Sequence, residues 1–301
     1  MKLFVNICML LLLSTHPLFA AEKQTKKSDP LKDATVKTYK TIGENVNLKL
    51  YIFNPADHKV TDKTPAIVFF FGGGWRSGTP IQFARQSQYL ASRGMVAICA
   101  EYRTQKKYRT SPFECVKDAK SSVRWIRKNA KDLGIDPKRI AAAGGSAGGH
   151  LAAATATLTS FDEDKDKSIS CIPNALVLFN PVFDNGPDGF GYDKVKDQYK
   201  KFSPIHNVKK GLPPTLVMLG TKDSLVPVKT AEKFKALAEK VNARCDLKLY
   251  EDQKHGFFNH NRSEEMYFKT TSDMDIFLES IGYLKGKPTI KKSQGQVEKQ
   301  K

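Results

Sequence analysis

Apolar and polar positions first alternate along this chain and then give way to unbroken apolar runs. "ATVKTYKTI" and "VNLKLYIFNP" alternate across a Gly-Glu-Asn turn, which predicts a hairpin of strands with one face buried. From Pro65 the runs become continuous: "AIVFFF", "MVAICA", "IAAAG", "ALVLFNP" and "TLVMLG", each bounded by turn residues. Such runs read as strands covered on both faces, as in a parallel sheet. Between them Val116, Ala119, Val123, Ile126 and Ala130 recur at steps of three and four, as do Ala231, Phe234, Leu237, Ala238 and Val241. Phe83, Tyr89, Leu90 and Ala91 mark a further helix before Gly94. Each set draws one apolar stripe. Strands alternating with amphipathic helices predict an α/β fold, a mostly parallel doubly wound sheet behind an N-terminal antiparallel hairpin. No internal repeat or interior linker interrupts it, so residues 34–284 read as one domain.

The ends read differently. Residues 1–21 carry Lys2, a mostly apolar run from Leu3 to Leu13, and small residues at Ala20 and Ala21. That is the layout of a secretory signal peptide, and the run is short for a membrane span. Export to the periplasm or medium, without stable membrane insertion, is therefore expected. Residues 22–33 form a polar lead, and the basic segment 285–301 reads as a loosely ordered tail. Beyond the leader the cysteines are Cys99, Cys115, Cys171 and Cys245, too few in so long a chain for a disulfide scaffold.

A formal charge of +18 raises the question of nucleic acid. The lysines are scattered among acids, with no basic-aromatic stripe and no helix-turn-helix or zinc-finger spacing, so no nucleic-acid partner is expected. The acidic stretch with Asp162, Asp164 and Asp166 lacks the glycine and glutamate of a calcium loop. No metal is assigned.

Two glycine clusters follow strands. Gly72-Gly73-Gly74 could cradle a phosphate, but Thr79-Pro80 stands where a P-loop needs Lys-Ser/Thr. The dinucleotide fingerprint also fails, because Ser77 takes the place of its third glycine. The second cluster, "RIAAAGGSAGGHLAAATA", puts Gly-x-Ser-x-Gly at residues 144–148 between the strand Ile140 to Ala143 and an alanine-rich helix. This is the context of a nucleophile elbow, with Ser146 as nucleophile.

A serine hydroxyl needs a base to take its proton and an acid to orient the base. Of the six histidines, His16 lies in the leader, His58 precedes the sheet, His150 follows the serine by one helical turn and His206 precedes a strand. His255, just after "DLKLYE", is the candidate base, with His260 as its rival. Asp223 follows the run "TLVMLG" and is the candidate acid, with Asp184 as its rival. The order Ser146, Asp223, His255 is that of α/β-hydrolases. The first glycines then acquire a role: Gly73, Gly74 and Ala147 supply backbone N–H groups for an oxyanion.

With these residues in hand, the chain resembles the α/β-hydrolase superfamily. The resemblance is to the esterase/lipase branch of feruloyl/acetyl-esterase-like and hormone-sensitive-lipase-like enzymes. It is carried by "FFFGGGW", "GIDPKRIAAAGGSAGGHLAA", "FSPIHNVKKGLPPTLVMLGTKDSLVP" and "KHGF", and it spans nearly the whole chain after the leader. It implies a serine carboxylesterase without a cofactor, acting on short acyl or aromatic esters of small molecules or carbohydrates. The family usually carries histidine where this chain has Phe71, which bears on the shape of the glycine loop. The long N-terminal helical cap of the lipase group is replaced by the short hairpin. Asp184 to Phe202 reads as a small lid insertion, with Trp75, Tyr102, Phe190, Tyr192 and Phe257 as candidate pocket walls. A serine peptidase of the prolyl-oligopeptidase type and a non-catalytic binding module are the alternatives. The first usually carries a propeller, of which no blade repeat appears; the second generally loses the serine or histidine, both present here.

Overall fold

Eight strands form one sheet in the order β1-β2-β4-β3-β5-β6-β7-β8. This is a computed structural model that describes residues 29–164 and 167–291. The expected leader over 1–21, residues 22–28 of the lead, Asp166 and residues 292–301 lie outside the described residues. The hairpin is β1 (Thr35–Ile42) and β2 (Val46–Phe53), antiparallel with a register shift between Thr38 and Lys40. β2 pairs antiparallel with β4 (Val96–Ala100). Every later pairing is parallel, among β3 (Thr64–Phe70), β5 (Ile135–Gly145), β6 (Ala175–Phe179), β7 (Thr215–Gly220) and β8 (Cys245–Tyr250).

The apolar runs become central strands for the reason their composition gives. All five residues of β4 and of β6 are buried, as are six of the seven in β3. One half of the core holds the buried faces of α3 (Pro112–Lys128), α4 (Ala147–Thr157) and α7 (Val228–Lys240); the other holds those of α1 (Ala84–Ser92) and α8 (Glu264–Ser280). Each fully buried large apolar side chain contributes roughly 1.5–3 kcal/mol. α3 starts at a capping box: Ser111 Oγ accepts from the Phe113 amide at 3.3 Å and the Glu114 carboxylate accepts from the Ser111 amide at 3.1 Å. Short helices α2 (Gln105–Tyr108), α5 (Tyr192–Val195) and α6 (Tyr199–Phe202) complete the set.

Some boundaries differ from the sequence pattern. β5 begins at Ile135, five residues before its apolar run, because Ile135 pairs with Thr64 ahead of a register shift. Phe83 belongs to a 3₁₀ turn opened by Pro80, not to α1. The expectation of a loose tail is corrected over 285–291. There the Arg93 guanidinium donates to the carbonyls of Lys285 (3.0 Å) and Gly286 (2.8 Å), and the Thr289 amide donates to the Tyr89 hydroxyl at 3.2 Å. The four cysteines are free and buried. No helix among the described residues is long and apolar enough to cross a membrane.

Candidate active site

The C-terminal ends of the parallel strands lie along one edge of a doubly wound sheet, where such folds build their sites. β3 and β5 are neighbours, so the glycine loop after one meets the serine turn after the other. Ser146 has φ 55° and ψ −119° and caps the N-terminus of α4. This conformation, unusual for a residue with a side chain, raises its hydroxyl over the sheet edge. A Cβ on Gly148 would run into the carbonyl oxygens of Phe70 and Phe71, so only glycine lets β3 and α4 approach this closely.

β7 and β8, two and three strands away, deliver the partners. Ser146 Oγ donates to His255 Nε2 at 2.9 Å, and His255 Nδ1 donates to Asp223 Oδ2 at 2.7 Å. The other Asp223 oxygen accepts from the amides of Leu225 and Val226, each at 2.9 Å. The carboxylate is fully buried while the imidazole keeps 19% of its surface exposed. Asp223 is thus locked in place and His255 remains accessible from solvent.

The rivals sit elsewhere. Asp184 accepts from the Gly186 amide in its own loop at 2.8 Å, and His260 lies 3.7 Å from Glu264. His58 donates to the Leu133 carbonyl at 2.8 Å. His150 is fully buried: its Nε2 donates to the Phe202 carbonyl at 3.0 Å and its ring meets the edge of Trp75 at 5.1 Å. Burial pushes its pKa down to about 3, so it stays neutral as a prop beneath the glycine loop.

That loop turns at Gly73, φ 121°, where a Cβ would collide with the Ser77 carbonyl. The Gly72 amide is taken by Gln82 Oε1 at 2.6 Å. The amides of Gly73 and Gly74 donate to no group among the described residues. Ala147 stands at the first position of α4, where a helix leaves its N–H groups without intrahelical partners. Phe71 points inward: its ring stacks on Tyr102 at 4.1 Å and its carbonyl accepts the Tyr102 hydroxyl at 2.7 Å.

The pocket walls read from sequence need correction. Trp75, Tyr102 and Phe257 are 1%, 1% and 4% exposed and pack into the core, because each ring is taken up by neighbouring rings: Trp75 by His150 and Phe202, Tyr102 by Phe71 and Phe257 by Tyr250. Phe190 and Tyr192 are half-buried on the insertion between β6 and β7. The Phe190 ring lies over the loop, 3.6 Å from where a Gly74 Cβ would be. Phe190 also lines a cavity of about 370 Å³ together with Val182, Asp188, Leu225, Val226 and Lys229. This cavity flanks the site without reaching the reacting atoms, since neither Ser146 nor His255 lines it.

Asp162 and Asp164 both pair with Arg124, and no cluster of metal-ligating side chains occurs among the described residues. Three polar residues escaped the sequence reading: Gln82, Asn180 and Asn259. Asn180 is fully buried at the end of β6, with Nδ2 3.4 Å from His255 Nε2 and Oδ1 accepting the Gly256 amide at 3.1 Å. A side-chain amide amid the apolar run "ALVLFNP" is the signal that could have marked it.

Comparison with known proteins finds esterases that share this fold. The BD-FAE family matches residues 50–184, and the prolyl oligopeptidase family matches residues 177–275. Esterase LipC of Mycobacterium tuberculosis is 29% identical over 196 residues, 58% of this chain and 48% of that protein. The chain spans about half the length of the curated relatives it matches. A thermophilic esterase of Thermogutta terrifontis, solved with propionate bound, is 44% identical with a TM-score of 0.81, covering 85% of this chain and 97% of that one. The same esterase phosphoramylated by tabun is 45% identical with a TM-score of 0.82, covering 85% and 98%.

Proposed function

The chain belongs to the α/β-hydrolase superfamily, in its esterase branch, and from that premise we propose that it is a serine carboxylesterase for short acyl esters. The observation that carries this reading is the continuous Ser146–His255–Asp223 hydrogen-bond chain, with links of 2.9 and 2.7 Å. Ser146 Oγ attacks the ester carbonyl as His255 Nε2 takes its proton, and Asp223 holds the imidazole and balances its charge. The negative oxygen is held by the N–H groups of Gly73, Gly74 and Ala147, each donor of this kind being worth about 10²–10³ in rate. His255 then protonates the departing alkoxide, and water releases the acyl group by the reverse sequence. No step calls for a cofactor.

Short acyl groups are favoured because the Thermogutta terrifontis esterase has been solved with propionate and with butyrate, and because Phe190 closes over the glycine loop here. Aromatic esters and esters carried on carbohydrates form the finer part of the proposal, with export by residues 1–21 fitting such substrates. The prolyl oligopeptidase match over residues 177–275 keeps amide cleavage as the second reading. A panel decides between them: p-nitrophenyl acetate, butyrate and octanoate, acetylated and feruloylated sugars, and a peptide p-nitroanilide. The expected result is fastest turnover of acetate or butyrate, with Ser146→Ala losing at least 10³-fold. Near-wild-type rates in Ser146→Ala, or preference for the anilide, overturn the reading.

A further inference from the structure

The oxyanion loop and the histidine loop come from opposite ends of the chain, yet one run of side-chain amides joins them. The Gly72 amide donates to Gln82 Oε1 at 2.6 Å, Gln82 Nε2 donates to Asn259 Oδ1 at 2.9 Å, and Asn259 Nδ2 donates to the Gly256 carbonyl at 2.8 Å. Its polarity is fixed at both ends, since a backbone N–H only donates and a carbonyl only accepts. Each amide therefore has one orientation that satisfies its neighbours. Gly256 follows His255 directly, and its own N–H is held by Asn180 at 3.1 Å.

We propose that Gln82 and Asn259 act as a paired positioning device that sets the oxyanion loop in register with the catalytic histidine. The proposal rests on the serine-esterase reading above. By binding Gly72, Gln82 turns that amide away from the serine and leaves the next two, Gly73 and Gly74, to face the oxyanion. The Asn259 side chain joins its own backbone N–H, 3.1 Å from the same Gly256 carbonyl, in fixing the turn that carries His255. Because Gln82 and Asn259 hold each other, the two loops keep one spacing, and the reacting atoms sit between them. Gly72 is close enough for this to matter: a Cβ there would lie 3.4 Å from Ser146 Cβ. Phe71, where the resembled family has histidine, is turned into the core against Tyr102, so Gln82 is the side chain that holds the loop on the site's side.

Such a device acts on the transition state more than on substrate binding, because an oxyanion exists only there. The test is a double-mutant cycle with Gln82→Ala, Asn259→Ala and the double variant, measuring kcat and KM on p-nitrophenyl butyrate. Melting temperatures are measured alongside. Each single variant is expected to lose about 10-fold or more in kcat with KM within twofold, and the double variant is expected to lose no more than the worse single one. Gln82→Glu guards against a folding artefact. It is close to isosteric and keeps an acceptor for Gly72, but it has no N–H for Asn259, so it should match Gln82→Ala in kcat at an unchanged melting temperature. Asn259→Gln, which retains both donor and acceptor, should recover part of the loss. Multiplicative losses in the double variant, losses confined to KM, or a Gln82→Glu enzyme with wild-type kcat overturn the pairing. Retained activity in Ser146→Ala overturns the esterase reading itself, so the two failures are distinguishable.

Discussion

At the residue scale, the site concentrates its cost on few side chains. Ser146 holds φ 55°, a strain of about 1–3 kcal/mol that neighbouring glycines and α4 sustain. His150 carries a second cost. Its pKa in the folded protein, about 3, lies below the unfolded value of about 6.5. Stability from keeping it neutral is therefore complete above pH 6.5 and is lost as pH falls toward 3, at about 1.4 kcal/mol per unit. Urea titrations between pH 7 and 4 should show a steeper acid-side loss in the wild type than in His150→Asn. Equal slopes would contradict its burial as a neutral ring. Ser146, Asp223 and His255 were legible because each punctuates a strand end with a residue type of known chemistry. Gln82 and Asn259 were not, since they meet across 177 positions and amide pairing leaves no period in a sequence.

At the element scale, unbroken apolar runs announced the central strands, and stripes at three and four announced α3 and α7. What the pattern concealed is charge placed inside. Asp118 occupies a position on α3 where an acid reads as solvent-facing, yet its side chain is fully buried beneath β1 and the loop after β4. It accepts from Arg103 Nε at 2.8 Å and from Lys40 Nζ at 2.6 Å. Asp118→Ala would leave Arg103 with little solvent and no carboxylate and Lys40 with Glu163 alone, and should cost about 3–5 kcal/mol in urea denaturation. A loss under 1 kcal/mol would show that the hairpin is held by β1–β2–β4 pairing alone. The tail misread has the same origin: basic composition says nothing of the Arg93 guanidinium that captures the carbonyls of Lys285 and Gly286.

At the scale of the whole molecule, sheet order turns scattered residues into one site. The strand order places β3 beside β5 and then β6, β7 and β8 in succession. The glycine loop, Ser146, Asn180, Asp223 and His255 therefore follow one another along a single edge. Fold class and edge were legible from strand-helix alternation; which rings line a cavity was not, because that depends on how each loop folds back over its strand. The central claim is that Ser146 is a nucleophile armed by this edge. Intact-mass spectrometry after stoichiometric paraoxon tests it most directly. The expected result is one diethylphosphoryl adduct per chain, mapped to Ser146, with esterase activity falling in parallel and no adduct in Ser146→Ala. An unmodified chain, or an adduct that forms equally in Ser146→Ala, would contradict the account.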